Sequence, residues 1–208
     1  MSFWYQLLRF GFRLLYHELA WTYDVVSWVV SLGEWRRWQQ AALPFVQGQR
    51  VLEIGHGPGH ILLALQQAGF AVTGLDLSPQ MGRLARRRAP SVPLVRGWVQ
   101  ALPFAAGSFD TVLATFPTEY VVDVRTMTAV SRVLGQNGRF LIIPEGHLTT
   151  TGPVTRFIEW LFCITGQRQE GGWEPYLAHF RAAGFRVTVE QITFERSAAT
   201  VVICEKRD

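Results

Sequence analysis

The stretch VLEIGHGPGH, residues 51–60, joins an acidic residue to three glycines at alternate positions. Glycines after a buried strand let backbone N–H groups approach a ligand closely, and the N-terminus of a following helix adds positive potential. The carboxylate of Glu53 could accept hydrogen bonds from an ammonium group or from loop amides. The stretch therefore predicts a site for a small polar ligand, with a tight turn and a solvated glutamate as the alternative.

A second acidic residue, Asp76, ends the next apolar run, about twenty residues after the glycines. A carboxylate offers only acceptors and is suited to bind the two hydroxyls of a ribose. Ser78 and Pro79 follow as a helix N-cap and first turn, so capping does not require Asp76. The two acidic residues and the glycines together predict a nucleoside-containing ligand. The third glycine comes one residue too early for the dinucleotide-binding pattern, which disfavours a nicotinamide-dependent oxidoreductase.

These residues lie in an alternation of short strand-like and longer helical segments. Strands are predicted over 50–54, 71–76, 93–97, 109–115 and 138–144, and two closely joined patterns after residue 184 predict an antiparallel pair. The pattern predicts an α/β fold: a Rossmann-like three-layer sandwich with a mostly parallel seven-stranded sheet and an antiparallel edge hairpin. Residues 1–46 form an N-terminal helical cap broken near Gly33, and residues 47–208 form the core of one structural domain.

The composition, 49% hydrophobic and 17% charged over 208 residues, fits one globular domain. Cys163 and Cys204 are far apart in apolar surroundings, so neither a disulfide framework nor a metal site is predicted, and a cytoplasmic protein is expected. No secretory signal or membrane span is recognised in the sequence.

The net charge of +4 raises the question of an acidic partner. Arginines cluster at 83 and 86–88, in the last turns of a predicted helix that ends at Pro90, where the helix dipole favours cations. No basic stripe alternates with exposed aromatic residues. Nucleic-acid binding is therefore not favoured.

Four segments, VLEIGHGPGH, VTGLDLSPQM, VQALPFAAGSFDTVLAT and VSRVLGQNGRFLII, resemble in order the motifs of class I S-adenosylmethionine-dependent methyltransferases. The resemblance covers about residues 16–145, and YLAHFRAAGFRVTVEQ continues it. The segment YHELAWTYDVVSWVVSLGEWRRW resembles the opening of the ubiquinone and menaquinone C-methyltransferases. Those enzymes usually carry a Gly-Leu-Arg-Asn type sequence after the fourth strand, where this chain has FPTEYVVD.

The resemblance implies S-adenosylmethionine as cofactor and assigns residues to its parts. Glu53 and the loop with Gly55, His56, Gly57 and Gly59 would hold the methionine part, and Asp76 the ribose. The base would be flanked by Leu77 and Met81, with Val99 and Thr115 completing the set. Many members have Gly-Asp-Ala where this chain has Gly97, Trp98 and Val99. Trp98 cannot accept a hydrogen bond, so it stacks on the base, or Gln100 or a backbone carbonyl accepts instead, or cofactor affinity is weakened.

The acceptor is expected at the carboxyl ends of the strands. Thr118, Glu119 and Tyr120 follow the fourth strand, and Tyr16 and Tyr23 lie in the cap. A general base is needed only for a protonated acceptor, and Tyr120 and His147 are the candidates, although an exposed loop position is the simpler interpretation of His147. The expected reaction is methyl transfer to a small hydrophobic acceptor that is quinone-, phenol- or lipid-like. A cofactor-binding module without turnover is the alternative.

The aromatic cap is open to three interpretations: helices that cover the core, a lid over the site, or an interfacial helix in peripheral contact with a membrane. The apolar helical segment 153–166 is expected either to line the acceptor pocket or to belong to the core.

Overall fold

A computed structural model describes residues 23–164 and 174–206. Tyr16 and the side chain of Tyr23 lie outside the described part of the chain. The α-helices are α1 Tyr23–Ser31, α2 Trp35–Gln40, α3 His60–Gln67, α4 Pro79–Arg88, α5 Val124–Val133, α6 Pro153–Ile164 and α7 Glu174–Ala182. The strands are β1 Arg50–Ile54, β2 Ala71–Asp76, β3 Leu94–Arg96, β4 Phe109–Thr115, β5 Leu134–Ile143, β6 Gly146–Leu148, β7 Phe185–Thr193 and β8 Ser197–Lys206.

The sheet has parallel strands in the order β3-β2-β1-β4-β5, and β8 joins β5 in antiparallel orientation. The hairpin of β7 and β8 closes this edge, as predicted. The sheet nevertheless has eight strands rather than seven, because the short β6 pairs with residues 197–199 of β8 and continues the line of β5. The predicted Rossmann-like sandwich is confirmed.

Each face of the sheet is covered by helices, since side chains along a strand alternate between faces. On β1, Leu52 and Ile54 face the cluster that contains Phe140 and Phe180, whereas Val51 belongs to the cluster on the opposite face. By the same alternation Glu53 shares the face of Val51, where an apolar residue would be expected. The central strand therefore carries a carboxylate into the interior.

The cap packs on the core through α2. The chain turns between α1 and α2 at Gly33, whose φ of +87° an L side chain rarely adopts, so the predicted break is confirmed. The Glu34 carboxylate accepts a hydrogen bond of 2.8 Å from Ser197 Oγ in β8. Trp38 is fully buried and lies directly over Gly146 of β6. No helix in the described ranges is long and apolar enough to cross a bilayer.

Gly146→Ala should destabilise the fold, because the added Cβ would lie 2.2 Å from Trp38 Cδ2. We expect the free energy of unfolding, measured by urea denaturation, to fall by about 1–3 kcal/mol. Gly152→Ala is the matched control, since nothing lies within 4 Å of its added Cβ. Equal stability of the two variants would contradict the packing of α2 on β6.

Candidate cofactor and acceptor site

The loop after β1 brings backbone atoms close to two neighbouring elements. A Cβ at Gly55 would lie 2.6 Å from the Tyr120 hydroxyl, and one at Gly59 would lie 2.9 Å from Ala85 Cβ in α4. Both glycines have positive φ, +69° and +82°, so side chains are excluded there by contacts and by backbone conformation. Gly57 has open space around its Cα. The loop thus contacts neighbouring elements at its first and last glycines and leaves space at Gly57, before α3 begins at His60.

Asp76 at the end of β2 connects this loop to the next helix. One carboxylate oxygen accepts the Gly57 N–H at 2.8 Å, and the other accepts the Ser78 N–H at 2.7 Å. Ser78 Oγ caps α4 by accepting the Met81 N–H. The prediction that Ser78 is the N-cap of this helix is confirmed, and Asp76 additionally holds the turn through the Ser78 N–H. Each Asp76 oxygen keeps acceptor capacity, since an ionised carboxyl can accept about four hydrogen bonds.

Glu53 is completely buried, and its Oε2 has no hydrogen-bond partner among the residues that the structure describes. Its Oε1 accepts a 3.4 Å hydrogen bond from Thr115 Oγ1, which accepts one from Gln39 Nε2 of the cap. Burial, together with the nearby charge of Asp76, raises the pKa of Glu53 well above its ordinary value. An unpaired buried acceptor next to an open glycine loop fits a ligand that brings a cationic donor, as the ammonium of S-adenosylmethionine would.

Two exposed apolar side chains follow the ends of the adjacent strands β2 and β3. Leu77 is 42% exposed and Trp98 is 63% exposed, and the hydrogen bond from Gly97 N–H to the Asp76 carbonyl holds the two strand ends together. Side chains at these two positions could pack on the two faces of a nucleobase. Met81 differs from the expectation for a residue flanking the base, because its side chain is only 1% exposed and packs in the interior. Val99 is also buried.

The segment after β4 lies over the glycine loop. Tyr120 Oη donates a 3.3 Å hydrogen bond to the Ile54 carbonyl, so this side chain reaches the loop, while Thr118 and Glu119 are exposed. Sequence analysis missed Phe116, which has a φ of +48° and stacks on Trp35 with ring centroids 4.0 Å apart. Positive φ is rare for a bulky residue and occurs at functional sites. A dipeptide Phe-Pro gives no sequence signal for this conformation.

Two histidines differ in their surroundings from what the sequence suggested. His147 lies in β6 with its side chain half-buried, so its placement in an exposed loop was wrong. His56 is buried beneath the glycine loop, where its ring would contact any Cβ at position 74, and its Nδ1 lies 2.7 Å from the Gly57 carbonyl oxygen. The His56 side chain therefore packs under the loop.

A charged network missed by sequence analysis ties the cap to the glycine loop. Asp24 of α1 lies 2.7 Å from His60 Nε2 and accepts a 2.6 Å hydrogen bond from Arg88, which also donates to the Pro58 carbonyl. Burial lowers the pKa of His60, although Asp24 opposes that shift; burial opposes ionisation of Asp24, but His60 and Arg88 outweigh it and lower the pKa of Asp24. These residues are 36 and 64 positions from Asp24 in the chain, so no local pattern could reveal them.

The chain is similar in sequence to known proteins. Residues 52–142 match the family described as methyltransferase domain. A demethylmenaquinone methyltransferase from Renibacterium salmoninarum is 34% identical over 151 residues, covering 71% of this chain and 64% of the relative. The chain thus spans less than two thirds of the length of that relative.

Solved structures agree on the fold. The Bacillus subtilis protein YcgJ has a TM-score of 0.62 at 19% identity, covering 83% of this chain and 99% of that protein. A putative S-adenosylmethionine-dependent methyltransferase from Methanococcus maripaludis has a TM-score of 0.65 at 16% identity, covering 91% and 92%. With the order of strands, the glycine loop and the two acidic residues, these matches show that residues 52–142 are similar to the methyltransferase domain family and that the chain has the fold of these solved structures.

Proposed function

We propose that this chain transfers a methyl group from S-adenosylmethionine to a small apolar acceptor of quinone type. The observation that carries the cofactor half of the proposal is the buried, unpartnered Oε2 of Glu53 beside the open loop at Gly57. A chain that only needed a stable fold would gain nothing from an unpaired carboxyl in its central strand.

The residues of the chain would bind and orient rather than form covalent bonds. S-adenosylmethionine supplies an electrophilic methyl group on a sulfonium. Glu53 would accept from the ammonium group, and Asp76 would bind the ribose hydroxyls while it keeps Gly57 in place. Trp98 would stack on the base in place of the carboxylate that many members have there. Methyl transfer then requires mainly that the reactants are held in line and close together.

The acceptor half is supported by aromatic side chains in the cap, after β4 and on α6. The Trp35–Phe116 stack lies directly after β4. On α6, Phe157 and Trp160 are exposed and stacked on each other, and on α1 Trp28 is exposed. Exposed aromatic side chains suit a flat apolar acceptor or peripheral contact with a membrane that contains it. Several relatives 30–34% identical are demethylmenaquinone methyltransferases, which favours turnover over a cofactor-binding module.

Tyr120 is the candidate group beside the glycine loop. Its hydroxyl donates to the Ile54 carbonyl, and a phenolic oxygen can also accept a hydrogen bond, as it would from an acceptor hydroxyl. This geometry favours positioning of the acceptor by Tyr120. We assign no general base to His147.

Glu53→Gln should separate stability from cofactor binding. The native state keeps a proton that the unfolded state releases near pH 4.5, so the contribution of Glu53 to stability is present below that pH and is lost as pH rises toward the folded pKa. Glutamine cannot ionise, so it does not lose stability in this way. The free energy of unfolding of the variant should therefore rise relative to that of the wild type by up to about 1.4 kcal/mol for each pH unit in this range. Urea denaturation between pH 5 and 8 measures the difference.

The same variant should bind S-adenosylmethionine about tenfold more weakly or worse, measured by calorimetry. Glu195→Gln, an exposed carboxyl on the β7–β8 turn, serves as the control for both measurements. A stability difference that stays constant with pH would contradict the raised pKa of Glu53, and unchanged cofactor affinity would show that Glu53 does not bind the cofactor.

Trp98→Ala should weaken binding of S-adenosylhomocysteine about three- to tenfold, because one aromatic stacking contact is lost. Trp98→Phe should retain most of the affinity. Since Trp98 is largely exposed, neither change should alter the unfolding temperature by more than about 2 °C. Equal affinity of the alanine variant and the wild type would exclude stacking on the base.

The acceptor class is tested by turnover. We expect a demethylated naphthoquinol with a short prenyl chain to gain one methyl group on carbon, detected by mass spectrometry with labelled cofactor. Asp76→Ala should abolish turnover at limiting cofactor, whereas Asp123→Ala, at the N-cap of α5, should remain active. Cofactor binding without product from quinols, phenols or lipid-like acceptors would refute the proposed acceptor and favour the binding module.

A further inference from the structure

A groove of about 490 Å³ lies between α4 and the edge strand β3. Its side walls carry Arg83, Arg86 and Arg87 of α4 and Arg96 of β3, and Gly82 faces open space at its centre. Asp76 and Ser78 line the end that meets the glycine loop. Four guanidinium groups from two different elements therefore face one concave surface.

The one acidic residue lining the groove, Asp76, offsets only one of these four positive charges. Its carboxylate oxygens accept backbone hydrogen bonds from Gly57 and Ser78, and no groove arginine donates to it. Arg86 donates weakly to the carbonyls of Pro90 and Val92, and Arg96 donates through Nε to the Leu77 carbonyl. Within the described part of the chain, Arg83 and Arg87 make neither a side-chain hydrogen bond nor an ion pair.

Several arginines elsewhere in the fold form ion pairs with acidic side chains. Carboxylates pair with six of them at 2.5–3.1 Å: Arg37, Arg50, Arg88, Arg125, Arg139 and Arg186. The groove thus collects positive charge that the chain does not balance. Positive potential in a concave surface is stronger than on a flat one and attracts anions.

The helix dipole explains this cluster only in part. It favours cations in the last turn of α4, which accounts for Arg86 and Arg87. Arg83 lies one turn earlier, and Arg96 belongs to a strand. On α4, residues 83, 86 and 87 have i, i+3 and i, i+4 spacings, at which like charges destabilise a helix. A bound anion would turn this repulsion into attraction.

We propose that the groove between α4 and β3 binds the phosphate or diphosphate group of a second ligand. Guanidinium groups match phosphate oxygens in geometry and can bind them through two parallel hydrogen bonds. The groups reach the anion from both walls, Arg83 and Arg87 from α4 and Arg96 from β3. The half-buried Leu94 supplies an apolar floor for the rest of the ligand.

This site does not depend on the proposed methyl transfer. Phosphate binding is measured without cofactor or acceptor, so its failure would leave the methyltransferase proposal untouched. A failure of methyl transfer would likewise leave the groove unaffected.

The test uses pyrophosphate as a probe in calorimetric titrations at low salt. We expect binding by the wild type that weakens steeply as salt is added. The double variant Arg83→Gln/Arg87→Gln should bind at least about tenfold more weakly. The matched control is Arg156→Gln/Arg196→Gln, which removes the same charge at exposed positions in α6 and in the β7–β8 turn. Thermal unfolding shows that both variants are folded.

The source of the phosphate is distinguished by sedimentation with vesicles of phosphatidylglycerol and of phosphatidylcholine. Pyrophosphate binding that only the groove variant loses supports a small phosphate ester. Binding to phosphatidylglycerol vesicles alone, lost in the same variant, supports a lipid headgroup. Equal weakening in both double variants, or no binding of either probe, would overturn the site.

Discussion

The site depends on one carboxylate that joins two loops. Asp76 accepts backbone N–H groups from the loop after β1 and from the turn before α4, which belong to different β-α units. Adjacent parallel strands place those loops side by side, and the Leu75 carbonyl accepts the N–H groups of Gly55 and His56 at the start of the first loop. The shared carboxylate adds the link between the two loops, because it satisfies an amide of each at once.

The cap is coupled to this arrangement by polar contacts in addition to the apolar packing of Trp35 and Trp38. Asp24 reaches the base of the glycine loop, Gln39 joins the buried chain that ends at Glu53, and Glu34 is held by Ser197. Such contacts are directional, so they specify where the cap lies as well as that it binds. Movement of α1 or α2 would change the surroundings of the loop and of Glu53 together. Opening of the cap and loosening of the cofactor site are thus linked.

Much of the sheet could be predicted because its strands are short apolar runs bounded by turn residues. β2 and β4 have the predicted bounds, and the helix starts at His60 and Pro79 follow from glycine and N-cap signals. β6 was missed because three residues show no periodicity. The Asp24 network and the positive φ of Phe116 were missed for a different reason. They result from tertiary packing between distant segments, on which local spacing carries no information.

The positive charge of the groove comes from arginine alone. The single lysine, Lys206, lies on β8 and donates to the carbonyls of Ser131 and Leu134 on the far side of the sheet. A guanidinium stays charged at any pH at which proteins fold, and it is not a substrate for lysine acetylation. The arginine charge of this face is therefore constant, because neither a change in cellular pH nor acetylation alters it, whereas a bound anion would offset it.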